Sequence, residues 1–347
     1  MKIIYVLGIL FISGCVSKET QEPRKSFTKV EIQTILEDDS LSVRAIEIMG
    51  SDLAFAANNG IYGIYNSIPG EWNTNVQEYD SIRPEFRAVA STSSDFFMLS
   101  IGNPALLFKT GDTGSMELVY KEENDKVFYD AMTFWNDKEG IAMGDPTNGC
   151  LSIILTRDGG KNWNKIPCDL LPAIIEGEAA FAASNSNIAV HGNHTWILSG
   201  GMKSRVFYSP DKGTTWEVFE TPIVQGTSTS GGYSIDFYDD ANGFIIGGDY
   251  TTPDLNKANK AITSNGGKTW QLVADGKDPG YHSSVRYVPG GKANEIVSVG
   301  LTGIFYSNNK GETWQKLSDE GFFTIRFLND STAYAAGKNR IAILEFK

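Results

Sequence analysis

Four stretches of this chain repeat one another: Thr156-Arg-Asp158-Gly-Gly160-Lys-Asn-Trp163, Ser209-Pro-Asp211-Lys-Gly213-Thr-Thr-Trp216, Thr263-Ser-Asn265-Gly-Gly267-Lys-Thr-Trp270 and Ser307-Asn-Asn309-Lys-Gly311-Glu-Thr-Trp314. Each has one mechanical reading. The Asx side chain takes hydrogen bonds from nearby backbone amides, the Gly turns a corner at positive φ, and the Trp packs between neighbouring sheets. The tryptophans are 53, 54 and 44 residues apart, the period of propeller blades. A decayed fifth copy stands at Thr110-Gly-Asp112-Thr-Gly114, and Gly70-Glu-Trp72 has the form of a stub of a sixth.

Working outward, each repeat holds four strands: an inner one, a second, a third leading into the repeated turn, and a fourth leaving through the Trp. Inner strands are expected near 43–46, 86–90, 131–135, 180–183, 234–238, 285–288 and 324–328, which makes seven. The last repeat ends at Phe346 without its turn, so its outermost strand is missing. Segment 27–36 alternates polar with apolar residues and is placed to supply that strand, closing the ring and removing exposed sheet edges. The expectation is an all-β, seven-bladed β-propeller closed by an N-terminal strand. Composition agrees: of 347 residues 36 are Gly, and aromatics reach 12%, as many short strands and tight turns require. The balance of 30 Lys+Arg against 42 Asp+Glu, without a basic run, argues against nucleic acid. Three cysteines exclude a disulfide-rich miniature and a four-cysteine zinc site.

The four repeats resemble the Asp-box, or BNR repeat, of sialidase-like propellers. Longer runs resemble bacterial Asp-box propellers related to the photosystem II stability/assembly factor family. These are Glu176-Gly-Glu178-Ala-Ala-Phe181-Ala-Ala-Ser184-Asn185, Ser199-Gly-Gly201 with Arg205-Val206, Thr221-Pro222-Ile223 and Gly247-Gly248-Asp249-Tyr250. The resemblance covers about residues 40–345. Bacterial members carry glycosyl hydrolase or oxidoreductase labels, and photosynthetic members bind a membrane-protein client. It therefore implies a fold and a binding style, not a substrate.

The N-terminus reads as an address. Lys2 precedes an apolar run over 3–12 that is too short to cross a bilayer, followed by Ser13-Gly14-Cys15. Ile12-Ser13-Gly14-Cys15 resembles the bacterial lipobox, which implies lipidation of Cys15. An ordinary secretory peptide with an incidental Cys15 stays open. The domains expected are a signal peptide over 1–14, a lipidated tether over 15–26 and the propeller over 27–347. Val16, in place of an inner-membrane-retaining Asp, points to an outer membrane where the cell has one. Export also permits a disulfide between Cys150 and Cys168, which flank one hairpin, although that geometry equally leaves two buried thiols.

Candidate sites follow from blade geometry. The turn residues Asp158, Asp211, Asn265 and Asn309 lie on the face opposite the blade-joining loops and are read as structural, as are Trp163, Trp216, Trp270 and Trp314. Aligning the inner strands on their apolar positions puts Arg44, Arg87, Thr133, Ala180, Asp236, Arg286 and Arg326 at one level. Four guanidinium groups there would form a positive arc suited to carboxylate or phosphate, as an arginine patch on inner strands of the assembly-factor family also implies. Internal ion pairing of each arginine is the competing reading. Asp145, Asp249, Glu176, Glu178, Tyr129 and Asp130 fall on loops of the same face. Glu178, Asp249 and Asp145 are the weak candidates for a general acid, and Tyr250 and Tyr281 could stack on a sugar. A sialidase-type site also needs a Tyr nucleophile with a Glu partner. Its opening arginine motif is represented only by Ile82-Arg83-Pro84, which departs from the family's order. His191 and His194 have metal-ligand spacing but no third ligand, and no Gly-rich dinucleotide motif follows a strand, so neither metal nor cofactor is expected.

Three functions remain open. The first is a monomeric, membrane-anchored propeller that binds an envelope protein or peptide through an arginine-lined central face. The others are a sialidase-like glycoside hydrolase on an acidic sugar and a non-catalytic carbohydrate-binding module.

Overall fold

The structure, a computed structural model, describes Met1, residues 25–111 and residues 114–347. Cys15, the leader over 1–14 and most of the tether lie outside the described residues, as do Asp112 and Thr113 of the decayed fifth repeat.

Seven antiparallel sheets follow one another around an axis, and they are numbered here as blades 1 to 7 in chain order. Their inner strands are Ala45–Met49, Phe86–Ser91, Tyr129–Phe134, Ile188–His191, Ser230–Phe237, Ser284–Tyr287 and Thr324–Phe327. Every sheet is apolar on both faces because it packs between two neighbours. The result is a ring of inter-blade cores, one for each pair of adjacent blades. Blade 6 gives Val297 and Ile304 to the core it shares with blade 7, for example, and blade 7 answers with Ile325 and Leu344.

Closure follows the sequence expectation, over a longer span. Val30–Ser42 pairs antiparallel with Lys338–Phe346 as the outermost strand of blade 7. Val30 and Ile32 enter the core between blades 6 and 7, whereas Ile35 and Leu36 enter the one between blades 7 and 1. The first and last strands of the propeller are thus paired in one sheet, which closes the ring.

The repeated turns adopt one geometry. In the turn of blade 3, Asp158 accepts the Asn162 amide at 3.0 Å, Thr156 Oγ1 accepts the Gly160 amide at 2.9 Å, and Trp163 Nε1 donates to the Gly160 carbonyl at 3.2 Å. Gly160 has φ of +77° and faces the ring of Phe97 in blade 2, which a Cβ would meet at 2.2 Å. Both the conformation and the space therefore demand glycine. Trp163 completes that core edge-on to Phe97 and Phe134.

One inner strand departs from expectation. Residues 180–183 are not the inner strand of blade 4, which is Ile188–His191. They belong to a segment that crosses the axial channel, and Ser184, Asn185, Ser186 and Asn187 on it are all buried. Every other blade holds this plug. Arg44 of blade 1 donates to the Ala183 carbonyl at 3.4 Å; Asn185 Nδ2 donates to the Val89 carbonyl of blade 2, and its Oδ1 accepts the Met132 amide of blade 3. Ser186 donates to Ser234 of blade 5, Ser184 to the Ser283 carbonyl beside blade 6, and Thr324 of blade 7 to the Ser184 carbonyl. Ser184, Asn185 and Ser186 are thus buried at the axis with hydrogen bonds from the ring, which offsets the penalty of burying them, whereas the Asn187 side chain donates to the Phe181 carbonyl of the same segment and leaves its Oδ1 without a partner.

Candidate functional site

Strands alternate in direction, so the blade-to-blade loops and the loops from second to third strands share one face, and the repeated turns lie on the other. A pocket of about 510 Å³ opens on the blade-joining face, above the plug. Its basic wall is Arg44, just before the inner strand of blade 1, and Arg87 at the top of that of blade 2. Phe181, Tyr233, Tyr250 and Tyr281 form the aromatic wall, and Asp145 stands in the same lining.

β-Bulges set three of the key side chains. Phe86 pairs with Ser100 and Ala88 with Leu99, so Arg87 is an extra residue in its strand. Asp130 is extra between Tyr129 and Ala131, and Tyr233 between Gly232 and Ser234. A bulge breaks the in–out alternation and re-aims one side chain, here putting Arg87 and Tyr233 into the pocket lining and Asp130 in the buried layer behind it.

The arginine wall is only partly satisfied. Arg44 lies over the Phe323 ring at 4.2 Å; its one hydrogen bond is to the Ala183 carbonyl, its buried Nε has no partner, and no ion pair holds it among the described residues. Arg87 meets Glu85 at 3.2 Å in a partly exposed pair. Burial, then the neighbouring Arg87, lowers the Arg44 pKa. Opposite, Phe181 stacks on Tyr233 at 4.0 Å with planes 3° apart, and Tyr281 meets Tyr233 edge-on at 4.7 Å. Tyr250 keeps 49% of its surface exposed at the rim.

The expected single arc of four arginines does not form. Arg286 and Arg326 lie further along their strands, past the plug. Arg326 donates to the Asn185 carbonyl at 2.7 Å and to the Ile325 carbonyl at 2.9 Å; Arg286 lies 3.7 Å from Asp236. Burial and the proximity of Arg286 depress Arg326 to about 9, while burial raises Glu47 and Asp236 against the pull of these two arginines. Asp236 also accepts the Tyr287 amide at 2.7 Å. The sequence alignment erred because it assumed a common register, and the bulges, together with the blade 4 assignment, shift it.

The acidic candidates separate as well. Glu178 is buried in a two-point pair with Arg205, at 2.5 and 3.0 Å, and accepts Ser199 Oγ at 2.6 Å. It is therefore a structural anion and not a free acid. The motif residues Glu178, Ser199, Gly200, Gly201 and Arg205 form one knot from which the plug departs, with Glu178–Ala179 pairing to Gly200–Gly201. Asp249 caps a turn through the Thr251 amide and the Thr229 hydroxyl, and these bonds hold its pKa low against burial. Glu176 is exposed. Asp145 alone of the three faces the pocket; burial raises it to about 6, opposed by the Ala180 amide that it accepts at 2.8 Å. Behind it, Asp130 is 0% exposed, both its oxygens lack a hydrogen-bond partner, and burial followed by Asp145 raises its pKa well above normal.

Tyr–Glu pairs do occur, away from the pocket lining. Tyr129 and Tyr120 both donate to Glu122, at 2.8 and 2.7 Å, and Lys165 pairs with the same carboxylate. Burial and the Glu122 charge push both phenols up, the reverse of what an activated nucleophile needs. His191 and His194 turn to different partners, Asp240 and Tyr208. Among the described residues no group of three or more His, Cys, Asp or Glu is arranged to hold a metal. Cys150 and Cys168 form a disulfide, with Cα atoms 5.5 Å apart. No helix is long and apolar enough to cross a membrane among the described residues.

The fold has clear relatives among solved structures. YCF48 bound to D1 peptide is similar over 94% of this chain and 97% of its own, with a TM-score of 0.67 at 14% identity. YCF48 from Cyanidioschyzon merolae covers 91% of this chain and 98% of its own, with a TM-score of 0.62 at 14% identity. The GH74 enzyme of Niastella koreensis matches 89% of this chain but only 53% of its own length, with a TM-score of 0.59 at 14% identity. At such identity the likeness concerns the fold alone. No protein-family model matches the chain, and no curated protein sequence does.

Proposed function

We propose that this propeller is a non-enzymatic binding module that takes an extended peptide segment of a partner protein in the pocket on its blade-joining face. The observation that carries the reading is Arg44, a guanidinium with spare donors stacked on Phe323 at the mouth of a closed-bottomed pocket. Arg87 doubles the positive charge, which supports recognition of an acidic side chain or carboxylate in an otherwise acidic protein. Around the mouth stand exposed Leu170, Ile175, Met202, Leu255 and Leu301, on loops of blades 3 to 6. An apolar rim about a polar pocket suits a protein partner, with the rim supplying area and the pocket selecting the segment. The structural neighbour solved with a bound peptide supports the same use of the fold.

The site is proposed to work outside the cytoplasm, with the chain held to an outer membrane through lipid on Cys15. The Cys150–Cys168 disulfide supports an oxidising compartment. Catalysis is disfavoured because Glu178 is locked to Arg205 and the Tyr–Glu pairs are deactivated. Among the described residues only Tyr250 offers an exposed ring for stacking on a sugar.

Crosslinking from native membranes tests the reading. Wild type should capture a protein partner that Arg44→Glu with Arg87→Glu loses, while Arg286→Gln retains it. A partner held equally by all three forms, or none held by wild type, would sink the proposal.

A further inference from the structure

Carboxyl groups stand close to the arginines of the pocket. Asp145 lines the pocket with Arg44 and Arg87, Glu85 pairs with Arg87, and Asp130 lies behind Asp145. Asp130 is placed by its bulge, wholly buried behind Asp145, and neither of its oxygens has a hydrogen-bond partner. Buried polar groups are almost always partnered, so one left open beside a pocket marks a place that another molecule completes.

We propose that Asp145, backed by Asp130, is a subsite for a cationic side chain, and that the pocket selects peptide segments in which a basic residue lies close to an acidic one. This rests on the peptide-binding reading above and names the chemistry of its ligand. The acidic group pairs with Arg44 and the ammonium or guanidinium with Asp145, so the bound segment adds no net charge. The other titratable and charged groups that share the pocket lining with Asp145 are Arg44 from blade 1, Arg87 from blade 2 and the phenols of Tyr233, Tyr250 and Tyr281; Arg87 also acts on Asp130, Glu85 pairs with Arg87, and among the described residues the Ala180 amide is the one donor to the Asp145 carboxyl. Because burial raises the Asp145 carboxyl to about 6, a bound cation that holds it ionised expels a proton near that pH.

The test uses blocked pentapeptides on the full chain: one carrying an Asp and a Lys, a second with norleucine for Lys, and a third with Asn for Asp. Calorimetry at pH 6 in two buffers of different ionisation heat reads affinity and proton release together. The Asp–Lys peptide should bind about fivefold or more tightly than the norleucine peptide and release protons. Asp145→Asn, which keeps the acceptor for the Ala180 amide, should bring that ratio to about one and abolish the release. Equal affinity of wild type for the Asp–Lys and norleucine peptides overturns the cation subsite. If Arg44→Ala still weakens both in that case, the peptide-binding reading stands without it. Failure of wild type to bind any of the three overturns both.

Discussion

The two mouths of the channel use the same residue type in opposite ways. On the repeated-turn side of the plug, Arg286 and Arg326 are enclosed by Asp236, Glu47 and backbone carbonyls, with acceptors at 2.7 to 3.0 Å. On the blade-joining side, Arg44 has one carbonyl at 3.4 Å and Arg87 one half-exposed carboxylate. A guanidinium presents five donors in a rigid fork, and whether it binds a ligand depends on how many are already taken. In the first pair Arg286 links blade 6 to blade 5 and Arg326 ties blade 7 to the plug, whereas the second leaves donors aimed at open space. Arginine on an inner strand is thus not evidence of a site until its acceptors are counted.

The largest effect that bears on this contrast should come from the knot that launches the plug. Arg205→Met leaves Glu178 buried and unpaired, and is expected to destabilise the fold by about 3–5 kcal/mol in denaturant melts. A loss under about 1 kcal/mol would show that the knot does not hold the divider between the mouths. The disulfide acts on the blade-joining side alone, because it pins the loop that carries Leu170 and Ile175. Replacing Cys150 and Cys168 by Ser opens an 18-residue link and should cost roughly 3 kcal/mol while leaving the other mouth intact.

Between the mouths themselves, Arg44→Ala should weaken binding of an acidic peptide roughly 30-fold, and Arg286→Gln less than about threefold. Equal losses, read by fluorescence anisotropy, would erase the distinction. Acid titration separates the mouths more finely. The Asp145 pKa is raised from 3.8 to about 6, so the folded state holds its proton more tightly than the unfolded chain does. Its contribution to stability is complete below about pH 4 and is lost as pH rises through 6. The difference in unfolding free energy between wild type and Asp145→Asn should therefore fall by about 1–2 kcal/mol between pH 4 and pH 7. A flat difference would mean that the carboxyl is solvated. The smallest effect is expected at the repeated turns: Asn309→Ala should cost about 1 kcal/mol in stability and leave peptide affinity unchanged, since that turn faces away from the pocket.

Local chemistry explains what could be read in advance. The repeated turns were legible because every part of them, an Asx acceptor, a positive-φ glycine and a tryptophan, interacts within eight residues or with the next sheet. The closing strand was legible because its alternation needs an apolar slot on each side. The plug was misread because Ala180 to Ala183 looks like any short inner strand. The run Ser184-Asn-Ser-Asn187 was the available warning, since four consecutive polar residues suit no buried strand edge unless other blades supply their partners. The bulges left no such mark. Arg87, Asp130 and Tyr233 sit in ordinary strand sequence, and only pairing with the second strand reveals the extra residue.

Sequence alone therefore determined the blade count, the ring closure and the placement of the repeated turns, because these depend on periodicity and on contacts near in the chain. The tertiary structure decided which arginines keep free donors, that Glu178 is consumed by Arg205, and that Asp130 lies unpartnered behind Asp145. Those outcomes depend on strand register and on which acceptors seven separate blades bring to one axis, and neither is encoded within any single repeat.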